Sequence, residues 1–377
     1  MGADFKELIG RKEDLHPDLV PYIENSAFGK SLKHPLVFQI FYTPDLNSIC
    51  NEAYRTKKEY INKAKEEKDW HRYIWMHERP YRMERSIHVS HDLKDDEYWS
   101  LLGSIWSDSE NLWQYGTILG MLLSDPRPGR DGMMDDEEKK FLESLPEEFT
   151  IYRGHQVKNR LGYSWTLSYW RAKWFAQRFQ NKRQGVVKAR IKKSDVVAVL
   201  LGRNEFEIVA APSKMKVSSM KKLPDRPEWM EAVKIECEKQ YNFAKNYSVH
   251  GPWHWEKVER NALAIAKKTP GSDQTVVQLF SFIHDSKREN EDHDPEHGLR
   301  AAAFAEELHK EKKLPISDHQ LSLLMEACKF HNDGQVSSDP TIGACWDADR
   351  LDLTRVGVIP DPKLLSTDAA KKLLWKI

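Results

Sequence analysis

The sequence predicts an α+β chain in three parts: a helical N-terminal lobe, a short β-rich core and an all-helical C-terminal region. Three observations predict it. Apolar residues recur at helical spacing up to about residue 145. From 148 the pattern changes to short runs rich in β-branched and aromatic residues: FTIYRG, GVVKARI, VVAVLL and FEIVA. After KKLPDRPEW, a proline- and charge-rich stretch, helical spacing resumes to the end. The boundaries that follow are 1–147, 148–222, a linker over 223–245, and 246–377.

In the first part, YRTKKEYINKAKEEKDWHRYIWMHE reads as one long charged helix with an aromatic face. YWSLLGSIWSDSENLWQYGTILGMLL reads as one or two buried helices. Trp70, Tyr73, Trp75, Trp99, Trp106 and Trp113 are expected as core packing rather than as a base-stacking platform. DPRPGRDG, over 125–132, is a loop. In the second part the β runs bracket one helix, SYWRAKWFAQRF. Its N-cap is Ser168, and Trp170, Trp174 and Phe175 lie at helical spacing. No internal repeat or low-complexity tract is visible.

A chain of 377 residues exceeds one ordinary core. No apolar run approaches the roughly 20 residues of a membrane span, and the start, MGADFKEL, lacks the apolar segment of a signal peptide. The four cysteines are scattered without a CxxC pair, so a disulfide framework is not expected and a reducing, cytoplasmic setting is. Net charge is zero but segregated: residues 151–194 hold twelve Lys or Arg and no acid, just after the acidic DDEEKKFLESLPEE. Such a run favours a phosphate-bearing ligand by simple attraction.

The residues at the core support a specific chemistry. Arg153 ends an expected strand and is followed by Gly154; arginine can grip a phosphate bidentately and glycine admits close backbone approach. Ser164 and Thr166 lie in SWTLS. Glu205 and Glu207 stand two apart at a strand start, so alternation places both on one side of the sheet. This order of arginine, serine and Glu-x-Glu resembles the R-S-E class of mono-ADP-ribosyltransferases over about residues 148–215, departing from it in that Trp165 lies between Ser164 and Thr166. The resemblance implies a split β-sandwich with NAD as substrate. It gives Arg153, Gly154, Ser164, Thr166 and Glu207 as NAD-binding residues. Glu207 would stabilise the oxocarbenium-like transition state and Glu205 would orient or deprotonate the acceptor, a protein arginine or nucleic acid.

The C-terminal part carries HWEKVERNALAIA, LFSFIHDSKRENEDHDPEHGLRAAAFA, EACKFHNDG and GACWDADRLDL. Divalent ions want imidazoles and carboxylates on rigid elements, and the adjacent His284 and Asp285 can both reach one ion. The pattern of His, then His-Asp, then Asp resembles the HD-domain metal phosphohydrolases. The resemblance implies an all-α domain with His254, His284, Asp285 and Asp349 as ligands, Asp347 being the alternative late carboxylate. His293, His297 and His331 stand where two-metal members place further ligands, and Lys287 and Arg288 where a substrate phosphate is held. His250, His309 and His319 read as ordinary residues.

The expectation is therefore an NAD-dependent ADP-ribosyltransferase acting on a macromolecule, joined to a metal-dependent hydrolase of a phosphate-bearing nucleotide, with no membrane partner. At the family level such a chain suits conflict between bacteria and phage. Two alternatives differ in kind. One is an NAD glycohydrolase, in which water replaces the acceptor and Glu205 matters little. The other is a basic nucleic-acid-binding protein, whose affinity would fall steeply with salt.

Overall fold

The chain divides into two units, Met1–Asp136 and Glu137–Ile377. The computed structural model describes residues 11–27, 29–110, 112–156, 159–178, 184–203, 205–219, 223–243 and 248–376. The MGADFKEL start, the basic residues Lys158, Lys182 and Arg183, and Lys221 and Lys222 of the KKLPDRPEW stretch lie outside the described residues.

The first unit is not wholly helical. It opens with an antiparallel meander of β1 (Ile23–Ser26), β2 (Gly29–His34) and β3 (Val37–Gln39). These strands span only a few residues, and GKSLKH offers a single large apolar side chain, so alternation left no trace in the sequence. Leu32 and Val37 are nonetheless buried. The long charged helix is two helices, α1 (Asn47–Glu66) and α2 (Trp70–Trp75). Lys68 takes a left-handed φ of 54° and ends the first. Asp69 starts the second by accepting the Arg72 amide at 2.9 Å. Then come α3 (Arg82–Val89), α4 (Asp95–Asp108) and α5 (Gly116–Leu123), with a 3-10 turn over Arg130–Met133. Trp99 and Trp106 are fully buried, as core packing requires, while Trp113 is 49% exposed.

Helix α6 (Asp136–Ser144) leads into a six-stranded sheet. Its strands are β4 (Glu148–His155), β5 (Ser164–Thr166), β6 (Gly185–Lys192), β7 (Val196–Leu200), β8 (Glu207–Ala210) and β9 (Met215–Ser219). The order is β7-β8-β5-β4-β6-β9, and every pairing is antiparallel. Where a two-layer split sandwich was expected, the strands form one hydrogen-bonded sheet. Its seam lies between β4 and β5, which meet at the single pair Tyr152 and Thr166. Helix α7 (Tyr169–Gln177) crosses β4, capped by Ser168, whose hydroxyl accepts the Arg171 amide at 3.2 Å.

The rest is helical: α8 (Glu228–Gln240), α9 (Pro252–Ala266), α10 (Gln274–Ile283), α11 (His297–Lys310), α12 (Asp318–Phe330), α13 (Pro340–Arg350) and α14 (Asp368–Leu373). The expected linker over 223–245 contains α8, and Met230, Val233 and Cys237 belong to the same core as Phe280, Ala301 and Trp346. Its two prolines fall before the helix, and six of the helix's 13 residues are charged, which together made the whole stretch read as a linker. The four cysteines are buried and free.

The sheet and the helices pack as one body. Trp170 donates to the Ser248 carbonyl at 3.2 Å, Lys173 pairs with Glu256 at 3.0 Å, and Lys257 donates to the Tyr152 hydroxyl at 2.9 Å. The Thr150 amide of β4 donates to the Trp375 carbonyl at 2.7 Å.

Gly154 has a packing reason for being glycine. A Cβ there would stand 1.9 Å from the Ala172 carbonyl and 2.6 Å from the Ala176 amide of α7. Gly154→Ala is expected to push α7 off the sheet and destabilise the second unit by about 2 kcal/mol or more, read as a lower midpoint in chemical unfolding.

His77 in the first unit is buried, its Nδ1 at 2.8 Å from the Tyr73 carbonyl. Burial pushes it down from 6.5 to about 4. An unfolded chain therefore binds a proton here, between pH 6.5 and 4, that the folded chain refuses, so stability falls as pH falls through that window. The expected loss is on the order of 2 kcal/mol. His77→Gln should flatten the dependence of melting temperature on pH in that range.

Candidate metal centre and the neighbouring carboxylate site

The buried His/Asp cluster that could hold a metal is assembled from helix ends. Asp285 follows the end of α10, beside His284. His254 sits in the first turn of α9, His297 opens α11, His331 closes α12, and Asp349 lies near the end of α13. The six residues are all at most 6% exposed. Asp285 is central. Its Oδ2 lies 3.5 Å from His284 Nε2 and 3.7 Å from His254 Nε2, and its Oδ1 lies 3.2 Å from His297 Nε2 and 3.7 Å from His331 Nε2. Asp349 Oδ1 is 3.1 Å from His254 Nε2. The donor atoms fall into three overlapping groups: His254, His284 and Asp285; His284, His331 and Asp349; and Asp285, His297 and His331.

Each imidazole is fixed in one tautomer. His254 Nδ1 meets Asp352 Oδ2 at 2.9 Å. His284 Nδ1 meets the Phe280 carbonyl at 3.0 Å, His331 Nδ1 the Cys328 carbonyl at 2.7 Å, and His297 Nδ1 the Asp294 carbonyl. An acceptor at Nδ1 keeps the proton there and turns the Nε2 lone pair inward, the arrangement that prepares imidazole for a metal. The lone pairs converge: His254 and His284 Nε2 are 3.2 Å apart, and His297 and His331 Nε2 are 2.9 Å apart.

Fit to a cation follows from the donors themselves. Asp285 Oδ1 and Asp349 Oδ1 are buried and accept no hydrogen bond, which is costly unless another positive partner serves them. Burial works to raise both carboxyls, but the imidazoles around Asp285, His284 first, and Arg355 and His254 beside Asp349 hold both well below the usual carboxylate range. Burial drops His284 to about 3, while the carboxylates win over burial at His254 and His297 and raise them. The cluster thus demands positive charge at its centre. Two sets of nitrogen and oxygen donors sharing Asp285 suit two divalent ions.

The two candidates for the late carboxylate differ in what they touch. Asp347 accepts the Ser366 and Thr367 amides, both at 2.7 Å, and the Thr367 hydroxyl at 2.8 Å. It ties α13 to the start of α14, while Asp349 faces the imidazoles. His250, read as ordinary in the sequence, lies at the edge of the cluster with Nδ1 3.1 Å from Asp285 Oδ2 and its side chain 14% exposed. His293 is exposed and outside it. Lys287 donates to Gln240 at 2.9 Å. Arg288 is buried, with Nη1 3.6 Å from Asp285 Oδ1. Sequence reasoning also missed Asp352 and Arg355, which follow the ADRL string that pointed to Asp349. Arg355 Nη2 lies 3.4 Å from Asp349 Oδ1.

The second candidate site spans the seam of the sheet. Register sets Thr166 of β5 opposite both Tyr152 of β4 and Glu207 of β8, and Ser164 opposite Val209. The residue facing Glu207 is therefore Thr166 rather than Ser164. Arg153 is less free than expected. Its Nε donates to the Asn159 carbonyl at 3.1 Å and its Nη1 to the Ser164 carbonyl, so it pins the intervening loop to the strand and leaves Nη2. Burial pushes its guanidinium down to about 10 against the charge of Glu207. Gly154 faces α7, so close approach to a ligand is not what requires glycine there.

The two glutamates do not alternate along one strand. β8 begins at Glu207, and Phe206 before it takes a φ of 45°. They are gathered by Arg203, 3.6 Å from Glu205 and 3.4 Å from Glu207. Glu207 is 4% exposed. Burial raises the Glu205 carboxyl, opposed by Arg203. The Thr166 hydroxyl donates to the Glu205 carbonyl and fixes this bend. The basic run is partly neutralised from outside: Lys173 by Glu256, Arg190 by Glu148 and Lys193 by Glu147.

No helix among the described residues is long and apolar enough to cross a membrane. Compared with the profiles of known protein families, with curated proteins and with solved structures, the chain matches none.

Full-length protein dialysed against Mn²⁺ is expected to retain two ions per chain by elemental analysis. Asp285→Asn should lose both, because each oxygen serves a different group. Asp349→Asn should lose one. Asp347→Asn should keep both ions and instead lower stability by about 1–3 kcal/mol through lost buried hydrogen bonds.

Proposed function

We propose that the C-terminal helical region is a metal-dependent phosphohydrolase. The observation that supports this best is the set of four imidazoles whose Nδ1 atoms are committed and whose Nε2 atoms converge around Asp285. One ion would be held by His254, His284, Asp285 and Asp349, and a second by Asp285, His297 and His331. Divalent ions there supply Lewis acidity toward a phosphoryl oxygen and make water a better nucleophile. The reaction is the addition of water across a phosphoester P–O bond, releasing an alcohol and the phosphoryl group as phosphate or phosphomonoester. Asp352 keeps His254 in the ligating tautomer, and the surrounding helices exclude bulk water.

A second site in the same body is read as an ADP-ribosyltransferase centre. The specific support is register: the arginine strand, the Ser-x-Thr strand and the Glu207 strand are adjacent, with Thr166 opposite Glu207. The N-glycosidic bond of NAD breaks, and nicotinamide leaves neutral with the bonding pair. Buried Glu207 stabilises positive charge on the ribose. An acceptor nucleophile on a macromolecule bonds to the anomeric carbon and gives its proton to Glu205, whose raised carboxyl suits a base.

Protein incubated with NAD labelled in the adenylate and with a cell lysate is expected to release nicotinamide and to label macromolecules. Glu207→Gln should cut both by at least about 100-fold, the scale of losing a group that stabilises transition-state charge. Glu205→Gln should lose label while nicotinamide release persists. Release without label in the unmodified protein would make the site a glycohydrolase. No release at all would remove the transferase reading and leave the metal site untouched.

A further inference from the structure

Two guanidiniums flank the metal cluster, one against each of its carboxylates. Arg355 lies beside Asp349, with Nη2 at 3.4 Å from Oδ1. Arg288 lies beside Asp285, with Nη1 at 3.6 Å from Oδ1. Both residues are at most 7% exposed. A site built only to hold cations gains nothing from buried arginines at its ligands, because each repels the ion. Their presence makes sense when an anion shares the site.

The arginines are held in place by backbone. Arg355 Nε donates to the Val249 carbonyl at 2.9 Å. Arg288 donates from Nη2 to the Asp292 carbonyl at 2.8 Å and from Nε to the Asn290 carbonyl at 3.3 Å. Arg355 Nη1 is buried and has no hydrogen-bond partner. A guanidinium nitrogen so placed is costly unless a ligand serves it, and planar guanidinium matches phosphate oxygens.

We propose that Arg355, with Arg288 beside the other carboxylate, forms an anion seat at the metal cluster that takes a terminal phosphate monoester. This rests on the metal-hydrolase reading. The monoester is favoured over an internal diester by enclosure. Every donor of the cluster and both arginines are buried, and among the described residues the cluster meets the surface only through single contacting residues, His250 beside Asp285 and Asn332, 3.1 Å from His297 Nε2. An end group can enter such a site tip first, whereas an internal diester must bring chain on both sides. Charge agrees: two divalent ions beside two guanidiniums leave the cluster short of negative charge, and a monoester dianion supplies more of it than a diester monoanion.

The test uses full-length protein loaded with Mn²⁺. Inorganic phosphate binding is measured by calorimetry and ion content by elemental analysis, for the unmodified chain, Arg355→Gln, Arg355→Lys and Arg288→Gln. Arg355→Gln is expected to weaken phosphate binding about 10- to 100-fold with both ions retained, and Arg355→Lys to recover part of the loss. The unmodified enzyme should hydrolyse p-nitrophenyl phosphate at least about tenfold better than its bis ester. Unchanged phosphate affinity in Arg355→Gln, or ion loss in both Arg355 variants, would make Arg355 a support for Asp349 and overturn the seat. Preference for the bis ester would overturn the substrate class. A chain that takes up no divalent ion would sink the hydrolase reading itself. Ion uptake without phosphate binding would sink only the seat.

Discussion

The C-terminal half of this molecule is organised around one carboxylate that has no business being buried alone. Asp285 is 2% exposed and meets His250, His254 and His284 on one oxygen and His297, His331 and Arg288 on the other. An isolated buried carboxylate would take up a proton rather than stay ionised. It stays ionised here because partners arrive from several helices and their connections. Those elements have to meet at one point, and that requirement constrains how α9, α10, α11 and α12 cross.

The partners are prepared locally as well as globally. A helix leaves its last carbonyls without amide partners. His284 and His331 cap α10 and α12, and each turns Nδ1 back to a carbonyl of its own last turn, Phe280 and Cys328. His297, at the start of α11, does the same with Asp294 just before it. Three of the four imidazoles thus receive tautomer and orientation from residues three or four positions away. Only His254 needs a distant acceptor, Asp352, and that residue follows α13 soon after Asp349. Helix ends therefore serve twice, closing the helix and aiming the ligand.

This locality explains what could be read in the sequence. The His-Asp dyad and the ordered later histidines were legible because each carries its second partner nearby, whereas the early His254 was legible only from its place in the order, its partner Asp352 lying far along the chain. Asp347 and Asp349 could not be separated by pattern, since only the fold shows Asp347 accepting the amides that start α14. His250 and Arg355 were invisible because their role depends on approach across the core. In the sheet, the order of Arg153, Ser164 and Glu207 was readable, while register made Thr166 the residue opposite Glu207. Strand alternation failed at Glu205 because Phe206 turns left-handed. The meander β1–β3 escaped because its strands are too short and too polar to show a period, and the break at Lys68 hid at the end of AKEEK, a stretch of good helix formers.

The same helix that supplies the first candidate metal ligand also reaches the sheet. On α9, Lys257 lies one turn beyond His254, is 4% exposed, and donates to the hydroxyl of Tyr152, the residue before Arg153. Burial lowers its ammonium to about 8, offset in part by the charge of Asp352. Its Nζ also lies 4.8 Å from the Tyr152 ring centre and 5.5 Å from that of Tyr169, contacts that favour the cation where water is excluded. Asp352 is the same carboxylate that holds the His254 tautomer. One acidic residue therefore acts on the candidate metal ligand and on the lysine that fastens the arginine strand. A rotation of α9 that would move His254 off its partners would also draw Lys257 from Tyr152. The two candidate centres are constrained to keep their geometry together, which is a stronger condition than two domains sharing a chain.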